Sequence, residues 1–111
     1  MISDYENDPY GGDTPEETLK MFIDALKKGD TDLAARYFVM DEQEKWKEDL
    51  RFAKDNKDLD RLIEISLRAG KGKEIYEGTY LFSVVNKDGE GEYVIEMTQT
   101  TKSKKWKIKD L

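Results

Sequence analysis

Apolar residues recur at helical spacing from Leu19 to Leu67 and then alternate from Thr79 onward, so the chain divides into a helical half followed by a strand half. The first helix is the best specified. Thr14 is a good N-cap, Pro15 suits the first helical position, and Glu17 stands where a capping box places its carboxylate. Leu19, Phe22, Ile23 and Leu26 then form one apolar stripe. Lys27 and Lys28 complement the negative end of the helix dipole, and Gly29 ends it. A short second helix is capped by Asp30, with Leu33, Ala34, Tyr37 and Phe38 at helical spacing. A third helix is expected to start at Asp41 with Glu44 completing its capping box. Trp46, Leu50 and Ala53 mark its buried side; Glu42, Lys45, Glu48, Asp49 and Arg51 face water, and Asn56 stops it. Asp58 caps a fourth helix whose stripe is Leu59, Leu62, Ile63, Ser66 and Leu67, closed by Gly70.

Beyond Gly72 the period becomes two. Tyr80, Phe82 and Val84 point one way, while Thr79, Leu81, Ser83 and Val85 point the other. Asp88-Gly89 supplies the residues of a two-residue type I′ turn. That turn sets Val84 opposite Tyr93, Phe82 opposite Ile95 and Tyr80 opposite Met97, and puts all six on one face. A slip of one residue would break the match. A last strand over Lys104–Leu111 turns Trp106 and Ile108 inward and Lys105, Lys107 and Lys109 outward, where Glu96 can meet Lys107 or Lys109. Lys73–Glu77 reads as a further strand, separate or joined to the next through a bulge at Gly78.

These elements predict an α+β domain: three to four N-terminal helices packed on an antiparallel sheet of three to four strands. The domain spans 14–111. Residues 1–13, with Pro9 and the Gly11-Gly12 pair, read as a flexible acidic arm. A chain of 111 residues builds one core. With only 37% hydrophobic against 40% charged residues, that core must come from the periodic positions.

The net charge of −6 disfavours nucleic acid as a partner, since an acidic surface repels phosphates. Its distribution is uneven: residues 1–18 hold six acids and no base, and residues 102–109 hold five lysines and no acid. Cysteine and histidine are both absent, which removes disulfides, thiolate chemistry and imidazole catalysis. No transmembrane segment or signal peptide is recognisable, and no cofactor is implied.

The run T-P-E-E-T-L-K-M-F-I-D-A-L-K-K-G-D at 14–30, T-D-L-A-A-R-Y-F at 31–38 and the closing W-K-I-K-D-L at 106–111 resemble the nuclear-transport-factor-2-like (cystatin-like) superfamily. The match is nearest to its small bacterial domains of unknown function. The resemblance implies a curved, cone-like sheet, frequent homodimers through the outer sheet face, and an extracytoplasmic location if a leader has been removed. The superfamily's enzymes often use Asp/His pairs in the cone, and this chain has no histidine to take that role.

Several constellations bear on chemistry. Tyr80, Phe82, Tyr93, Ile95, Met97 and Trp106 would line a concave-face pocket, and sequence leaves open whether that face is a pocket or a filled core. Tyr80 and Tyr93 have the hydroxyls to stabilise an oxyanion, although core tyrosines with hydroxyls at the rim are commoner. Asn86–Glu92 alternates oxygen ligands like the start of a calcium loop, but Met97 stands where the bidentate Glu belongs. Asp4, Glu6 and Asp8 read as part of an unstructured acidic arm. Gly70-Lys-Gly-Lys73 lacks the spacing of a phosphate loop and reads as a helix stop and linker. Lys102, Lys104, Lys105, Lys107 and Lys109 read as a solvated strand face that discourages aggregation. Leu81, Val85 and Val94 form an outward apolar patch suited to a homodimer. The expected function is a non-catalytic binding or accessory domain with a protein partner, the soluble head of an exported or tethered protein; the alternative is a small-molecule binder or enzyme using the concave face.

Overall fold

The computed structural model describes residues 9–85 and 92–111. Among the described residues, four α-helices precede a four-stranded antiparallel sheet: α1 Pro15–Lys27, α2 Thr31–Arg36, a 3₁₀ turn Met40–Glu42, α3 Gln43–Asp55, α4 Leu59–Leu67, β1 Ala69–Tyr76, β2 Thr79–Val85, β3 Glu92–Gln99 and β4 Trp106–Asp110. The strands lie in the order β1-β2-β3-β4. The architecture is therefore the expected α+β one.

α1 forms as its sequence dictates. The Thr14 hydroxyl accepts from the Glu17 amide at 3.1 Å, and the Glu17 carboxylate accepts from the Asp13 amide at 3.0 Å. The stripe Leu19, Phe22, Ile23 and Leu26 is buried. Asp30 caps α2 by accepting from the Leu33 amide at 3.1 Å. Phe38 then lies at the centre of the core, edge-on to Phe22 at 5.4 Å and stacked on Trp46 at 4.5 Å.

Three local expectations are corrected. No cap forms at Asp41, because the 3₁₀ turn comes first and α3 begins at Gln43 without a side-chain cap. The Gln43 side chain donates back to the Phe38 carbonyl at 3.0 Å instead. In α4, Leu67 is 59% exposed, whereas Ile65 packs against the core. The two residues flank the helix's stripe on opposite sides, and the Ile65 side is the one turned toward Trp46 and Ile95. Finally, Gly70–Lys73 is strand rather than linker. α4 ends at Arg68, whose amide bonds to the Glu64 and Ile65 carbonyls, and the chain turns straight into β1. Gly72 is required there because a Cβ would stand 1.9 Å from the Tyr80 ring.

The β2–β3 register agrees with the expectation: Val84↔Tyr93, Phe82↔Ile95 and Tyr80↔Met97 are opposite pairs. Asp88 and Gly89 themselves lie outside the described residues. Phe82, Val84, Ile95, Met97, Trp106 and Ile108 are buried against the helices, so the sheet's inner face is core.

The far edge of β4 is covered. The Ile108 amide donates to the Tyr37 carbonyl at 2.8 Å, the Val39 amide to the Ile108 carbonyl at 2.9 Å, and the Trp106 amide to the Gly12 carbonyl at 3.0 Å. Thr18, fully buried, links three elements: its hydroxyl donates to the Trp106 carbonyl at 2.8 Å and accepts from the Gly12 amide at 2.9 Å. The described part of the N-terminal segment is thus docked on β4. Gly11 permits this approach, since its φ is +132° and a Cβ would stand 2.3 Å from the Trp106 carbonyl oxygen.

Candidate functional site

The inward residues Phe82, Ile95, Met97 and Trp106 are at most 6% exposed and belong to one core cluster. Tyr80 is partly buried beside them, edge-on to Phe82 at 4.9 Å and to Trp106 at 6.2 Å. Tyr93 pairs with Val84, and its side chain lies outside the described set. The face that sequence left undecided is therefore packed where it is described. Desolvation raises the Tyr80 hydroxyl above the ordinary phenol range, and a hydrogen bond to Glu16 pushes it the same way. The Tyr80 hydroxyl is thereby held in its protonated form.

Space opens instead at the edges of the helix layer. Between α3, α4 and β3 lies a half-open hollow of about 310 Å³. Trp46 and Ala53 from α3, Leu62 and Ile65 from α4, Ile95 from the sheet and Leu111 give it an apolar lining. Asp49, Asp58 and Arg61 supply its charges. A second hollow of about 400 Å³ meets the first at Trp46, and its character is polar: Asp41, Glu42, Glu96 and Asp110 against Lys45 and Lys109. Lys109 lies 3.5 Å from Glu96, as the strand pattern suggested, and the Lys45 ammonium sits over the Trp46 ring at 5.3 Å. Phe52, one turn beyond Asp49 on α3, is 70% exposed. The two hollows share Trp46 in their linings, the first mostly apolar and the second mostly acidic, and are taken together below as the groove.

A third hollow of about 430 Å³ lies between α1, the end of α4 and the sheet, with Leu19, Ile23, Ser66 and Phe82 in its lining. The Ser66 hydroxyl has no hydrogen-bond partner, but its oxygen is shielded from solvent. It is a feature of the core and not a ligand contact.

The lysine-rich last strand differs from a uniformly solvated face. Lys107 is 1% exposed, and its ammonium donates to the Tyr10 carbonyl at 2.9 Å and to the Arg36 carbonyl. Its aliphatic stem is buried while its charge is met by backbone dipoles at the covered edge of β4. Lys105 pairs with Asp13 at 2.7 Å. With Trp106 buried as well, the strand offers neither the free charge row nor the stacking ring of a nucleic-acid surface.

On the outer sheet face Val94 is 44% exposed and Leu81 partly so; the Val85 side chain lies outside the described set. Asp4, Glu6, Asp8 and residues 86–91 of the calcium-like stretch also lie outside the described residues. Among the described residues no group of three or more metal-ligating side chains comes together, and no helix is long and apolar enough to cross a membrane.

Sequence reading placed the helical side of the groove in core and solvent and missed its function as a lining. The available signal was Ile65, an apolar residue off the α4 stripe but on the same side as Leu62. Comparison with protein-family models, curated proteins and solved structures finds no match.

Proposed function

We propose that this chain is a non-catalytic binding domain whose recognition surface is the groove between α3, α4 and β3. The observation that carries this reading is the apolar hollow of about 310 Å³ left open beside a sheet face that is otherwise packed. Concave, mostly apolar sites with a few polar groups at the rim are where ligands bind. The order of helices followed by an antiparallel sheet supports placing the chain with the nuclear-transport-factor-2-like superfamily, and an accessory role is consistent with that placement.

An NMR fragment screen on ¹⁵N-labelled protein tests this. Shifts confined to the Trp46 indole and the amides of Ala53, Leu62 and Ile65 are the expected outcome. Shifts centred on Tyr80 and Met97 would favour the alternative, a small-molecule site on the sheet's inner face. A second reading, self-association through the outer sheet face, is favoured by Val94 lying diagonal to Leu81 across β2 and β3. Light scattering at high concentration checks it, and a strictly monomeric profile would rule it out.

A further inference from the structure

We infer that the groove recognises a basic, apolar segment of a partner protein, with a large apolar side chain entering the α3–α4 hollow and a neighbouring lysine or arginine lying in the acidic hollow past Trp46. This rests on the binding role proposed above and names the partner's chemistry.

Three observations carry it. The first is charge complementarity: the two hollows are lined by six carboxylates against three bases, Lys45, Arg61 and Lys109. Among the described residues, Asp41, Glu42, Asp49 and Asp58 make no ion pair, so the described cations leave this excess in place. An acidic groove attracts cationic partners and repels anionic ones.

The second is shape. Two open hollows that share Trp46 in their linings set a mostly apolar surface and a mostly acidic one beside the same side chain. A chain segment that alternates apolar and basic side chains can fill both hollows at once.

The third is the indole itself. Trp46 already holds the Lys45 ammonium over its ring at 5.3 Å, so its π-face accepts a cation in this setting. An incoming arginine or lysine can replace Lys45 there without a new kind of contact.

The test uses three capped peptides of one length: Lys-Leu-Leu-Lys-Lys, its glutamine-flanked form and its glutamate-flanked form. Each is titrated into the ¹⁵N-labelled full chain. The lysine peptide is expected to shift the Trp46 indole signal and the Ala53 and Ile65 amides, with affinity at least about fivefold above the glutamate peptide at low salt. That preference should shrink as the salt rises to about 0.5 M. A double variant, Asp49→Lys with Asp110→Lys, changes one exposed carboxylate in each hollow and should reverse the preference while its thermal melt stays unchanged.

Equal binding of all three peptides in the groove would overturn the basic-segment proposal and leave the binding role standing. No shift in the groove with any of them would remove both. Perturbation by the lysine peptide only at other surfaces would also overturn the proposal.

Discussion

α1 and α3 are both thirteen residues long, yet they are used in opposite ways. α1 buries seven residues and is tied through Thr18 to the N-terminal segment and β4. α3 buries only Leu50 and starts without a side-chain cap. One helix holds the domain together. The other fully buries one side chain, packs Trp46 and Ala53 against the core while leaving them partly open to the groove, and holds Phe52 in water. Binding surfaces tend to lie where packing is incomplete, because a fully satisfied core has nothing left to offer a partner.

That contrast can be broken most forcefully at Phe22. It is fully buried against Phe38, so Phe22→Ala should cost about 3–5 kcal/mol. Trp106→Ala should fall in the same range of about 3–5 kcal/mol, both read by urea melts. Curves overlaying the parent's would mean that α1 is not the organising helix.

Thr18→Val keeps the shape but removes a buried donor and acceptor, leaving the Gly12 amide without that partner. The expected loss is about 1–3 kcal/mol, with faster hydrogen exchange at Gly12 than in the parent. Retained protection at Gly12 would show that the N-terminal segment is held by other contacts.

On the α3–α4 side the same measurements should give small numbers. Ile65→Ala should cost about 1 kcal/mol and Phe52→Ser less than about 0.5 kcal/mol, although Ile65→Ala should also weaken fragment binding in the groove. A loss as large as that of Phe22→Ala would erase the distinction between the two helices.

The smallest effect is a pH dependence. Desolvation, then Tyr10, Asp24 and Asp30, raise the Tyr37 hydroxyl above its ordinary value of 10.0. Folding therefore favours the protonated form. The stability this confers is complete below that unfolded value and is lost as the pH rises through the folded one. Tyr37→Phe should leave the neutral-pH melt within about 0.5 kcal/mol of the parent and flatten its alkaline decline. An unchanged alkaline limb would locate the titration elsewhere.

Much of the scaffold was legible because its signals are local and agree with each other. The Thr14 cap, the α1 stripe and the β2–β3 alternation each specify a conformation and a buried face at once. The misreadings fall where two neighbours compete for a residue. Leu67 and Ile65 have similar hydrophobicity and flank the same stripe, so which is covered depends on what packs beside α4. Gly70–Lys73 looks like a stop in isolation and becomes strand once β2 offers it a partner and Tyr80 covers Gly72.

By itself the amino-acid order determined the helical half, the strand half, their junctions to within a few residues, and which side of β2 and β3 faces inward. Periodicity carries that information, since each element must bury one face. Only the tertiary structure decided that the inner sheet face is packed, that Lys107 is capped by the carbonyls of two distant segments, and that an acidic-apolar groove opens beside Trp46. Those outcomes depend on how far one helix leans over another, a distance that no local pattern encodes.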